Sequence, residues 1–198
     1  MLVGLTGGIG SGKSTVLAKF KLFENIAVYC ADIEAKKLMN TSLAIRQNIT
    51  ALFGAQAYKE EVLNTAFVGS IVFDNAEELR KLNAIVHPEV YKHLRAFIKK
   101  NQDKDYIVYE NAILFENKSD DFCDVIVTVL ADKDKRIARV VARDNVADAD
   151  VLKRMNNQWL DAKKVLLSNY IVHNDDLNTL ENQIIKIHNN LTKNNVRI

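Results

Sequence analysis

The chain of 198 residues has a single proline, Pro88, and a single tryptophan, Trp159. Its two cysteines, Cys30 and Cys123, are too few for a disulfide framework, so a reduced, cytoplasmic setting is expected. No apolar run approaches the roughly 18–20 residues that cross a bilayer, and no membrane association is expected. The opening Met1-Leu2-Val3-Gly4-Leu5 has no basic segment before it and runs straight into glycines, unlike a secretory leader. Charge of one sign is also missing: 27 Lys and Arg face 25 Asp and Glu, a formal net charge of +2. That balance gives no electrostatic reason to expect nucleic acid as a partner. Internal repeats, low-complexity linkers and charge runs are absent, so a single domain is expected. A composition of 48% hydrophobic and 26% charged residues is ordinary for a globular chain. At this length folding buries about 70% of the unfolded surface.

Glycine is scarce except in one place. Five of the seven glycines (Gly4, Gly7, Gly8, Gly10 and Gly12) fall in the first twelve residues, and none follows Gly69. Around them, five short apolar segments alternate with helical patterns. Leu2 to Leu5 predicts a first strand, followed by a helix from about Lys13 to Phe23. Strands are further expected at Ala27 to Cys30, Tyr106 to Tyr109, Asp124 to Leu130 and Tyr170 to Val172. Helices are expected at about Ile33 to Met39, Leu43 to Phe53, Glu61 to Phe73 and Ala76 to Lys100, the last split in two at His87-Pro88 because proline removes a donor. Asp132 is an expected N-cap for helices running to about Ser168 with a break near Asn145 to Asp148. Leu180 to Leu191 predicts a closing helix, and Asn194 to Ile198 a frayed tail. The alternation predicts an α/β fold with a five-stranded parallel sheet covered on both faces.

The chemistry concentrates in Gly7-Gly8-Ile9-Gly10-Ser11-Gly12-Lys13-Ser14, which matches G-x-x-x-x-G-K-[ST] between a predicted strand and a predicted helix. Glycines permit backbone turns that point successive N–H groups into one concavity, and the helix N-terminus adds its dipole. Lys13 can reach the β- and γ-phosphates of a nucleotide, and the Ser14 hydroxyl can ligate Mg²⁺.

Three further features invite a role. Asp32 follows the second strand, where ligands of open α/β sheets bind; it can take a proton from an incoming hydroxyl, hold metal water or cap a helix. Glu110 ends the third strand, as a metal-associated acid or as a surface residue. Arg136, Arg139 and Arg143 share one face of a helix with no acid three or four positions after the first two, which suits a transferring phosphoryl group as well as a solvated face. Asn117-Lys118-Ser119-Asp120 spells the guanine-reading N-K-x-D, but no D-x-x-G accompanies it. A GTP-binding regulatory protein is therefore the weaker alternative.

Taken together the chain resembles the dephospho-CoA kinase family from its first strand to about Leu180. The residues that carry the resemblance are Gly4 to Thr15, Ala31-Asp32 with Ala35, Asn83 to Pro88, Ile113 to Glu116, Arg139 with Arg143-Asp144, Gln158, and Ile171 to Asn174. The resemblance implies a P-loop kinase core (about 1–40, 101–131 and 166–198), a helical substrate-binding region (about 41–100) and a helical lid (about 132–165). It implies transfer of the ATP γ-phosphoryl group to the ribose 3′-hydroxyl of dephospho-CoA, with ATP and Mg²⁺ as cofactors. Asp32, Lys13, Arg139 and Arg143 would be catalytic. Gly8, Gly10, Ser11, Gly12, Lys13, Ser14, Thr15 and Asn174 would hold the nucleotide, with Ser14 and Glu110 at the metal. Asp32, His87 and Glu116 would face the substrate, while Trp159 and the leucines around Leu166 would pack. A nucleoside or nucleotide kinase of the same fold is the nearer alternative. The chain departs from the family pattern at Cys30 (for aspartate), Ala112 (for proline), Asp175 (for glycine) and in Glu61-Val62-Leu63-Asn64-Thr65, which lacks the glycine and arginine of G-x-L-N-R.

Overall fold

A computed structural model describes residues 1–73 and 75–193. The expected tail at Asn194 to Ile198 lies outside the described residues. The chain divides into two compact units, Cys30–Lys100 and the remainder on either side of it.

The larger unit is built on a parallel sheet. Its strands are β1 (Leu2–Thr6), β2 (Ile26–Cys30), β3 (Tyr106–Glu110), β4 (Val125–Leu130) and β5 (Tyr170–His173), in the order β2-β3-β1-β4-β5. All five residues of β1 and of β3 are buried, which explains why they read as unbroken apolar runs rather than alternating ones. Leu5 pairs with Glu110 on one side of β1 and with Val127 on the other. The central strand therefore ends where the chain switches sides of the sheet, the place at which such sheets bind ligands.

The helices of this unit are α1 (Lys13–Phe20), α2 (Lys133–Asp144), α3 (Asp148–Asn156), α4 (Asp161–Leu166) and α5 (Leu177–Lys193). The expected cap at Asp132 is present: its carboxylate accepts from the Asp134 amide at 2.9 Å and the Lys135 amide at 3.3 Å. Helix α5 buries Leu180, Ile184, Ile187 and Leu191, one stripe at helical spacing, and packs on α1. Each such side chain contributes roughly 1.5–3 kcal/mol by leaving water. Cys123 lies under β1, where a Cβ on Gly4 would come within 2.8 Å of its Sγ. Burial pushes its thiol up to about 12, so it packs as a small apolar group.

The unit Cys30–Lys100 is helical: α6 (Ala31–Thr41), α7 (Leu43–Phe53), α8 (Thr65–Val72) and α9 (Ala76–Lys100). Two expectations change here. The segment from Glu61 does not begin a helix. Tyr58–Lys59 and Val62–Leu63 pair as an antiparallel hairpin, turned by Glu60 and Glu61 at φ 49° and 70°, and Asn64 then caps α8 by accepting from the Phe67 amide at 3.2 Å. Helix α9 is not broken at Pro88 either; it runs for 25 residues through it. Its buried residues Val86, Val90 and Leu94 form a stripe that continues on both sides of Pro88, and this packing overrides the lost backbone bond.

Candidate active site

The glycine-rich segment leaves β1 at Thr6 and enters α1 at Lys13, as its spacing requires. Gly12 caps α1 in a left-handed conformation, φ 88°, and a Cβ there would run into the Asn174 side chain. At Gly8 the reason is close approach: a Cβ would lie 2.7 Å from Cζ of Arg136. Lys13 curls back and donates from Nζ to the Gly7 carbonyl at 2.9 Å, so its ammonium stays at the loop. Ser14 and Thr15 open α1 with exposed side chains, and Glu110 is buried at the end of β3 beside the root of the loop.

The loop's outward carbonyls are engaged in succession. Arg136 Nε donates to Ile9 O at 2.9 Å, Arg139 Nη1 to Gly10 O at 3.3 Å, and Asn174 Nδ2 to Ser11 O at 2.9 Å. Arg139 Nη2 also donates to Asn174 O at 2.8 Å. A trans peptide places its N–H opposite its C=O, so carbonyls held outward turn the following amides to the other side. The Ser11 amide closes a turn onto Gly8 O at 3.1 Å. Of the five buried side-chain polar atoms without a hydrogen-bond partner among the described residues, three belong to the loop and its neighbours: Thr6 Oγ1, Ser11 Oγ and Asn174 Oδ1. Such atoms are uncommon inside proteins.

The three arginines of α2 do not act alike. Arg136 is buried and ion-paired with Asp161. Arg143 is exposed and forks onto Asp144 at 2.7 and 3.0 Å; Asp144 also takes Arg154 at 2.8 Å. These cations hold the Asp144 carboxyl down to about 2. Arg139 has no carboxylate partner among the described residues and lies beside Gly12, its Nη1 3.6 Å from where a Cβ would stand. Its charge is the uncompensated one of the three, next to a helix N-terminus suited to anions.

Glu116 sits in a network of its own. Its Oε1 accepts from the wholly buried Lys164 at 2.9 Å and from the Trp159 amide at 2.8 Å. Trp159 stacks on Phe115, as its expected packing role requires, with Lys163 Nζ 3.2 Å over its ring. The leucines nearby do not pack: Leu160, Leu166 and Leu167 are exposed, Leu166 by 84%. Residues 112–118 form turns rather than a helix, and Asn117 uses its Oδ1 to accept from the Ser119 amide at 3.1 Å. The N-K-x-D spelling is thus an ordinary Asx turn.

In the Cys30–Lys100 unit, Asp32 is the second residue of α6, past the N-cap position, held by Cys30. It is exposed, and its carboxylate has no hydrogen bond or ion pair among the described residues. That removes helix capping as its explanation. His87 is exposed on α9. A groove of this unit is lined by Leu43, Arg46, Gln47, Thr50, Ala51 and Tyr58. Tyr58 Oη donates to Met39 O at 2.7 Å, and burial raises its phenol above the ordinary value.

Sequence reasoning missed Asp161 and Lys164 altogether and left Arg136 on a shared face. A lysine or aspartate on a short charged helix carries no signal of burial, and only the third dimension pairs them. The family model described as dephospho-CoA kinase matches residues 1–179. The chain belongs to the dephospho-CoA kinase family. It is thereby an ATP-dependent kinase. The dephospho-CoA kinase of Salinibacter ruber is 38% identical over 176 residues, 87% of this chain and 88% of that one. A Thermus thermophilus crystal structure, TT1252, superposes with a TM-score of 0.85 at 25% identity, covering 96% of each chain. The dephospho-CoA kinase of Campylobacter jejuni shares the fold, with a TM-score of 0.72 at 21% identity over 98% of each. No helix among the described residues is long and apolar enough to cross a membrane.

Proposed function

We propose that this chain transfers the γ-phosphoryl group of ATP to the ribose 3′-hydroxyl of dephospho-CoA, giving CoA and ADP, the last step of CoA synthesis, in the cytoplasm. The observation that carries this reading is the phosphate cradle, its carbonyls held by Arg136, Arg139 and Asn174, in a chain matched to the family over residues 1–179.

The work assigned to the protein is positioning and charge stabilisation. Gly8, Gly10, Ser11, Gly12, Ser14 and Thr15 hold the triphosphate, and Lys13 and Arg139 balance the charge that spreads over the transferring group. Arg143 joins them only after release from Asp144, to which it is forked. Asp32 orients the 3′-hydroxyl and accepts its proton as the new P–O bond forms and the bond to ADP breaks. Its exposed, unengaged carboxylate supports that task. Asn174, by contrast, is occupied in holding the loop, and Glu116 in pairing with Lys164. His87 remains assigned to the substrate side.

Mg²⁺ fits the oxygen donors present. Ser14 and Glu110 supply one hydroxyl and one carboxylate, and this ion takes few protein ligands and completes its shell with phosphates and water. When bound it would neutralise phosphate charge.

The test is a coupled assay of ADP release with ATP, Mg²⁺ and dephospho-CoA, run against a panel of nucleosides and nucleotides. Dephospho-CoA is expected to be turned over fastest. Faster turnover of a nucleoside overturns the acceptor assignment, and tighter binding of GTP than ATP without transfer overturns the kinase reading.

A further inference from the structure

Ile9 is gripped on both sides of its backbone by the segment that follows β4. Its N–H donates to Gln158 Oε1 at 2.8 Å, and its carbonyl accepts from Arg136 Nε at 2.9 Å. Arg136 is buried, its Nη1 is paired with Asp161 on α4, and its Nη2 lies against Gly8. A guanidinium can do this because its donors sit in one rigid plane: one edge addresses the carbonyl while another holds the carboxylate. An ammonium offers one point of attachment. Asp161 neutralises Arg136, so the pair adds little field of its own at the loop.

We infer that Arg136, held by Asp161, is a positioning residue for the phosphate loop, fixing the Ile9–Gly10 peptide so that the Gly10 amide is preset to meet a phosphate. Holding the Ile9 carbonyl outward aims the Gly10 N–H to the opposite side of the same peptide plane. The cost of ordering a Gly-rich turn is then met in the free protein rather than on binding. The Asp161 carboxylate locks the guanidinium in the required plane. This assignment rests on reading the loop as the cradle for the phosphates of ATP.

The experiment measures ATP dissociation without acceptor, binding of inorganic tripolyphosphate, and steady-state kinetics, all well below the melting midpoint. Arg136→Gln is expected to weaken ATP and tripolyphosphate binding about tenfold, as loss of a charge-assisted hydrogen bond does. The KM for dephospho-CoA and the kcat at saturating ATP should stay within about threefold of wild type, since loss of a binding contact that chemistry does not use leaves turnover intact. Arg136→Lys should fall between, and Asp161→Asn should weaken ATP in the same direction by a smaller factor. A purely structural role for Arg136 would lower the melting midpoint and leave both dissociation constants unchanged; that result overturns the inference. If Arg136→Gln does not fold, Asp161→Asn decides, and unchanged ATP affinity there overturns it as well. Failure of the wild-type protein to bind ATP or tripolyphosphate would instead refute the reading of the loop.

Discussion

The phosphate loop with its surroundings and the helical unit Cys30–Lys100 are held together by different physics. Around the loop, side chains from α2, from the residue that follows β5 and from the α3–α4 connection bond to backbone: Arg136, Arg139, Asn174 and Gln158 each reach the segment 9–11. Two cations are buried there, Arg136 against the partly exposed Asp161 and Lys164 against Glu116. The helical unit relies on apolar stripes such as Val86, Val90 and Leu94, on side-chain caps at Ser42 and Asn64, and on surface ion pairs. Stripes tolerate replacement by similar volumes, whereas a buried polar network fails when one member is removed. The first region should therefore be brittle and the second forgiving, except at Asp32.

That exception carries the largest expected effect. Asp32→Asn keeps the size and the helix but removes the proton acceptor, and general-base groups are worth roughly 10²–10⁴ in rate. Turnover is expected to fall by that factor while ATP binding, measured directly, changes by less than about threefold. An equal loss of ATP affinity would move Asp32 from the acceptor to the triphosphate.

Next comes the brittleness itself. Lys164→Ala strands the Glu116 carboxylate, whose Oε2 is already buried without a partner among the described residues. Removing one member of a buried pair costs about 3–5 kcal/mol. For a chain of this size that lowers the melting midpoint by roughly 6–20 °C. Replacing both members, Lys164→Met with Glu116→Leu, should recover most of the loss, since the pair's own net contribution is small. Additive losses in the double mutant would show that the two residues stabilise the fold independently.

The same division explains what could be read from the sequence. The loop was legible because phosphate binding demands glycine, lysine and serine at fixed spacing, and the strands because they are buried on both faces. The helical unit was less so. A proline signals a break by itself, yet Val86, Val90 and Leu94 hold both halves of α9 on one line. The pairing of Arg136 with Asp161 and of Lys164 with Glu116 was hidden for another reason, since charges on short helices look solvated until the chain is folded. The glutamates at the hairpin were hidden because neither favours a left-handed turn.

That hairpin gives the smallest effect and the sharpest test of a forgiving region. Glu60 and Glu61 hold φ 49° and 70°, a conformation costing a non-glycine residue about 1–2 kcal/mol. Glu61 stands where the family pattern G-x-L-N-R has glycine, and its carboxylate gains an exposed ion pair with Arg46 at 3.2 Å. Exposed pairs of this kind contribute about 0–1 kcal/mol. Glu61→Gly relieves the backbone, loses the pair and adds freedom to the unfolded chain, a further cost near 0.5–1 kcal/mol. These terms nearly cancel, so the melting midpoint should move by no more than about 3 °C in either direction. Raising the ionic strength separates them: salt weakens the ion pair in the parent and cannot do so in the variant, so the variant should gain on the parent as salt increases. A variant that instead lost several kcal/mol at all salt concentrations would show that the helical unit depends on this turn, and the contrast with the phosphate loop would fail.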